Sequence, residues 1–101
     1  MNAARSPIEV RHNERASRFE ATVDGLVCFA AYDRQDGVLR INHTSVPPKL
    51  EGRGIAAAIV RFAFDHARAN GLRVEPWCSY VRTYMRRHPD TQALLTPGFR
   101  L

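Results

Sequence analysis

Ile8-Glu9-Val10-Arg11-His12 alternates apolar with polar residues, which puts Ile8 and Val10 on one face of a strand. Arg18-Phe19-Glu20-Ala21-Thr22-Val23 alternates in the same way and predicts a second strand. Asp24-Gly25 is a tight-turn pair, and the nearly all-apolar Leu26-Val27-Cys28-Phe29-Ala30-Ala31-Tyr32 after it reads as a central third strand. Arg34-Gln35-Asp36-Gly37 supplies another turn. Val38-Leu39-Arg40-Ile41-Asn42-His43-Thr44 then alternates again, until Pro47-Pro48 forbids further ladder pairing. The first half of the chain is therefore a four-strand antiparallel meander.

From Arg53 the period changes. Ile55, Ile59, Phe62 or Ala63, and Ala67 recur at helical spacing with Arg61, Asp65 and Arg68 between them, and Asn70-Gly71 offers a left-handed stop. Leu72-Arg73-Val74-Glu75-Pro76-Trp77 predicts a short fifth strand, parallel to the fourth because a helix crosses between them. Ser79 is placed to cap a second, short helix through about Arg87. His88-Pro89 ends that helix, and Thr91 to Leu95 adds one more turn. The fold class is α/β (α+β) with one mixed sheet. Trp77, Phe29, Phe62, Phe64 and Cys28 are expected in its core.

A chain of 101 residues suits one domain, 1–101 with a core from about 8 to 95, and a composition 45% hydrophobic and 25% charged is that of a soluble globule. No apolar run approaches the roughly 20 residues of a membrane span, and Met1 to Pro7 lacks a secretory pattern, so cytoplasmic residence is the expectation. Cys28 and Cys78 form no CxxC pair and join no histidine at ligand spacing, so neither a disulfide framework nor a bound metal is predicted. The net charge of +5 is almost all arginine, since Lys49 is the only lysine. Guanidinium groups suit phosphates, whether of a nucleotide cofactor or of nucleic acid. No RNP-type or helix-turn-helix pattern supports nucleic acid.

Between Pro48 and Ile55 the chain passes from a strand end to a helix start with two glycines around Arg53. A helix start carries unpaired N–H groups and the positive end of the macrodipole. A glycine-lined approach then admits a phosphate without side-chain obstruction, with Arg53 as a mobile positive charge beside it. The same glycines also suit a purely structural tight loop.

At these residues the chain resembles the GNAT superfamily of acyl-CoA N-acyltransferases, whose pyrophosphate loop is matched from Gly54 to Ala56, with Glu51 where that loop usually carries Gln or Arg. It is more closely similar to the small GNAT-like acetyltransferase family of about one hundred residues. The residues that carry this are His43-Thr44-Ser45-Val46-Pro47, Glu51-Gly52-Arg53-Gly54-Ile55-Ala56, Pro76-Trp77-Cys78-Ser79-Tyr80-Val81 and His88-Pro89.

The resemblance implies an acetyl-CoA or coenzyme A co-substrate and an unidentified primary-amine acceptor. Its pyrophosphate would rest on Glu51, Gly52, Arg53, Gly54, Ile55 and Ala56. The fourth and fifth strands would splay, with the pantetheine arm paired to the backbone of Ser45 and Val46. Cys78 would lie close to the thioester sulfur, where a helix N-terminus and Arg82 favour its thiolate. Nucleophile, proton donor and inert packing residue are its three readings. His43 would turn toward the acceptor as general base, against the alternative of a structural histidine. Tyr80 and Tyr84, at i, i+4, share a helix face from which one touches the pantetheine or protonates the sulfur, unless both are core. Arg82, Arg86 and Arg87 form a basic cluster near the phosphates or simply a solvated face. The alternative to an enzyme is a non-catalytic module that binds coenzyme A or its acyl forms, since a chain this small lacks the extra helices that build an acceptor site.

Overall fold

The computed structural model describes residues 8–101. Its strands are β1 (Arg11–Asn13), β2 (Arg18–Val23), β3 (Leu26–Gln35), β4 (Val38–Ser45) and β5 (Arg73–Pro76). Its helices are α1 (Ile55–Ala69) and α2 (Ser79–Arg87), with 3-10 turns at Pro48–Leu50 and Pro89–Leu94. The sheet runs in the order β1-β2-β3-β4-β5, antiparallel as far as β4 and parallel between β4 and β5. This is the meander, crossover helix and parallel fifth strand that the hydrophobic pattern predicts.

The hairpins turn on Asp24-Gly25 and Asp36-Gly37, each pair with positive φ at both residues, the twist that matches the flanking strands. α1 stops where expected. The Leu72 N–H reaches back to the Ala67 carbonyl at 2.9 Å around the left-handed Gly71.

Alternation assigns one sheet face to the core. Phe19 and Ala21 of β2, Cys28 and Ala30 of β3, Leu39 and Ile41 of β4 and Val74 of β5 are buried against Ile59, Val60, Ala63, Phe64 and Ala67 of α1 and against Val81 and Met85 of α2. Among the described residues the opposite face has no helix. It carries ion pairs of Arg18 with Glu20 and of Arg40 with Asp33 and Glu75.

Several expectations need correction. The first strand covers Arg11–Asn13, so Ile8 and Val10 precede it, although both still pack on the core. β3 continues three residues past Tyr32, which confines the following turn to Asp36-Gly37. Cys78, not Ser79, is the N-cap of α2, and no side chain caps that helix. The last turn is a 3-10 helix that starts at Pro89. Of the four aromatic residues expected in the core, only Phe64 is fully buried. Phe29 lies half-buried on the open face, Phe62 sits at the edge of the α1 stripe, and Trp77 is 60% exposed. Trp77 alternates out of phase with the buried Val74 and Pro76, which puts it on the uncovered side.

Candidate functional site

One irregularity opens the sheet. The register between β3 and β4 runs Ala31↔His43 and then Tyr32↔Ile41, which leaves Asn42 as an extra residue on β4. A bulge of this kind bends its strand and raises the local twist. β5 pairs with β4 only from Val38 to Ile41, and the Trp77 N–H closes the ladder on the Ile41 carbonyl at 2.9 Å. From His43 to Ser45 the edge of β4 that would face β5 has no strand partner.

The bulge also reassigns side chains. Strict alternation would put His43 on the face of Ile41. With Asn42 inserted, Thr44 pairs with buried Ala30, while His43 pairs with Ala31 on the open face and leans on the Phe29 ring at 5.8 Å.

Beyond β4 the backbone passes through two left-handed residues, Gly52 at φ 82° and Gly54 at φ 75°, where a side chain would be strained. Gly54 is the N-cap of α1. Its carbonyl accepts from the Ala58 N–H at 3.1 Å, no side chain caps the helix, and no acid lies in the first turn. The N–H groups of the first turn therefore point out of the helix unpaired. They open into a cleft of about 570 Å³ whose walls include Thr44, Ser45 and Val46 on one side, Gly52, Gly54 and Ala56 on another, and Tyr80 across from them. That volume is ordinary for a small-molecule site.

The expected phosphate-loop residues Glu51, Gly52, Gly54, Ile55 and Ala56 all border this cleft, as do Ser45, Val46 and Tyr80. Arg53 does not. Its guanidinium is held at 2.8 Å by Asp24 in the β2–β3 turn, so it anchors the loop instead of acting as the mobile charge expected of it. Tyr84 is buried away from the cleft, stacked on His88 at 4.0 Å and packed against Phe64 at 5.6 Å. Tyr80 and Tyr84 thus divide between cleft and core, and the sequence spacing alone could not separate them.

Cys78 stands across the β4–β5 gap from Thr44, with Sγ and Oγ1 3.6 Å apart. The Arg82 guanidinium lies 5.5 Å from the centre of the Phe99 ring. Burial first, then Tyr84 and Cys78, raises the Tyr80 phenol above its ordinary value, while Arg87 opposes the shift. The phenol is consequently protonated at neutral pH.

On the open side of the gap, Trp77 Nε1–H donates to Glu75 at 3.0 Å and Arg40 Nε–H does so at 3.3 Å. The indole hydrogen bond is the largest cause holding the Glu75 carboxyl below the usual range, with Thr96 and Arg40 adding to it against burial. Thr44 and this Glu75–Trp77 pair are site features that period-two reading misses, because the bulge and the splay decide where they point. Among the described residues no group of three or more side chains could hold a metal ion, and no helix is long and apolar enough to cross a membrane.

A family model described as GCN5-related N-acetyl-transferase matches residues 18–94. Protein NATD1 of Bos taurus and that of Homo sapiens are each 28% identical over 96 residues, covering 87% of this chain and 80% of theirs. Protein NATD1 of Xenopus tropicalis is 29% identical over 93 residues, covering 88% of this chain and 84% of its own. The NMR structure of a GCN5-like protein from Staphylococcus aureus superposes with a TM-score of 0.71 at 22% identity over 91% of each chain, so the two share a fold.

Proposed function

The chain belongs to the GCN5-related N-acetyltransferase family, and on that premise we propose that it transfers an acyl group, acetyl by default, from its coenzyme A thioester to a primary amine. One observation carries this reading. The unpaired amides of α1 and the free edge of β4 line the same cleft, and Tyr80 and Cys78 stand where β4 and β5 part.

The roles follow from the chemistry of each group. The amides from Gly54 to Ala57 receive the pyrophosphate, aided by the helix macrodipole. The pantetheine arm extends along Ser45 and Val46 as an added strand, and a backbone N–H there polarises the thioester carbonyl. His43, on the open face, takes a proton from the incoming ammonium. The amine nitrogen then bonds to the carbonyl carbon, the carbon–sulfur bond breaks, the departing thiolate takes a proton from Tyr80, and the acylated nitrogen gives up its surplus proton through solvent to the tyrosinate, which leaves the neutral amide. A cysteine nucleophile is activated by an adjacent base or by a lowered pKa, and the hydrogen-bond partner of Cys78 is the Thr44 hydroxyl, which is not a base. Direct transfer is thus favoured over an acyl-Cys78 intermediate.

The test is incubation with labelled acetyl-CoA and a panel of amines, peptides and nucleotide-like acceptors. Transfer of label to an amine supports the reading. Binding of CoA without any turnover would reduce the protein to a binding module, for which the helix-free acceptor face is the supporting feature.

A further inference from the structure

The stripes of side chain that border the cleft continue beyond it. Ala57 and Tyr80 line both the cleft and a smaller groove of about 220 Å³ between α1 and α2, where Arg61, Tyr84 and Arg87 form other walls. Ala57 and Arg61 are i, i+4 on α1, and Tyr80, Tyr84 and Arg87 repeat at i, i+4 and i+7 on α2, so each helix lends the groove one face.

Arg18, Arg40, Arg53 and Arg68 each have a carboxylate partner; among the described residues Arg61 and Arg87, like most of the other arginines, have none, and these two share the walls of one groove. Met1 to Pro7 contains no acid that could serve. Asp65, one turn from Arg61, is taken by Arg68. Two guanidinium groups on the walls of one groove repel each other, and an anion between them removes that cost. Farther along, the neighbouring cavity sets Asp65 and Asp90 against Arg61 and Arg68, so it offers an anion no net positive charge.

We propose that Arg61 and Arg87 bind the 3′-phosphate on the ribose of coenzyme A, so that this groove distinguishes the cofactor from its 3′-dephospho form. The proposal rests on the acyl-CoA reading of the cleft. With a pyrophosphate at the start of α1, Arg61 lies six residues beyond Ile55, about 9 Å along the axis at 1.5 Å per residue. A ribose with its phosphates bridges that gap.

Calorimetry with CoA and with 3′-dephospho-CoA tests it on the full chain and on the Arg61→Ala, Arg87→Ala and Arg86→Ala variants. The expected result is an about tenfold preference for CoA in the wild-type protein, the effect of one charge-assisted contact at a partly solvated site. Arg61→Ala or Arg87→Ala reduces the preference to about twofold by weakening CoA alone, whereas the control Arg86→Ala, of equal charge change, keeps it. Equal wild-type affinity for the two ligands overturns the proposal and leaves the acyl-CoA reading standing. Equal weakening of both ligands by the arginine variants also overturns it, since that is a long-range charge effect. Failure of both ligands to bind overturns the acyl-CoA reading and this proposal together.

Discussion

Glu51 is the residue most at odds with the proposed function, a carboxylate on the wall of the cleft that would receive the pyrophosphate. Arg53 does not neutralise it, because Asp24 holds that guanidinium. Glu51→Gln is expected to tighten CoA binding about 3- to 10-fold at low ionic strength, with the gain shrinking as salt is added. Titrations at two salt concentrations check this, and unchanged affinity would mean that the side chain points away from the ligand. Tyr80 and Cys78 separate by kinetics. Tyr80→Phe should lower kcat about 100-fold, the lower end of what a general acid supplies, with little change in KM. Cys78→Ala and Cys78→Ser should both stay within about 3-fold of wild type, because direct transfer needs no thiolate. Loss of activity in both cysteine variants, with acetyl-Cys78 found by mass spectrometry in the wild type, would instead favour the covalent route.

Among the elements, the loop into α1 is where a left-handed backbone and the wall of the cleft coincide. A Cβ on Gly54 would meet no protein atom within 4 Å, yet φ is 75° there. Gly54→Ala should therefore cost about 1–2 kcal/mol of stability from backbone strain. It should reduce CoA affinity further, because the new methyl enters the approach to the helix amides. Thermal denaturation and calorimetry measure the two losses separately. The sequence makes α1, both hairpins and the parallel β5 legible, because their apolar periods and turn pairs are local properties of the chain. Asn42 is different. Nothing in Val38–Ser45 distinguishes a bulged strand from a regular one, since the extra residue is set by pairing with β3. The faces of His43 and Thr44 could accordingly be known only from the register. The exposure of Trp77 follows the same logic: it depends on which side of β5 the helices cover, a fact outside the local sequence.

At the scale of the whole molecule, among the described residues, the helices cover one sheet face and leave the other open. Away from the cleft, His12 bonds the Tyr32 hydroxyl at 2.6 Å, stacks on Phe19 at 4.4 Å and meets His66 at 4.5 Å. Burial first, then His66 and Arg34, lowers its pKa from the ordinary 6.5, with Glu14 opposing. A lowered histidine pKa means that the unfolded chain binds more protons. The stability it contributes is present above about pH 6.5 and is lost as pH falls through the folded value. The melting temperature should decline from pH 7 toward pH 5, and His12→Phe should flatten that decline while leaving CoA affinity unchanged, since the cluster does not line the cleft. The proposed function requires that one cleft, made by the start of α1 and the free edge of β4, binds the cofactor. A titration of the isotopically labelled protein with CoA, followed by amide NMR, tests it most directly. Saturable shifts are expected, concentrated at Thr44–Val46 and Gly52–Ala57, whereas no shifts, or shifts confined to another surface, would rule out binding in this cleft.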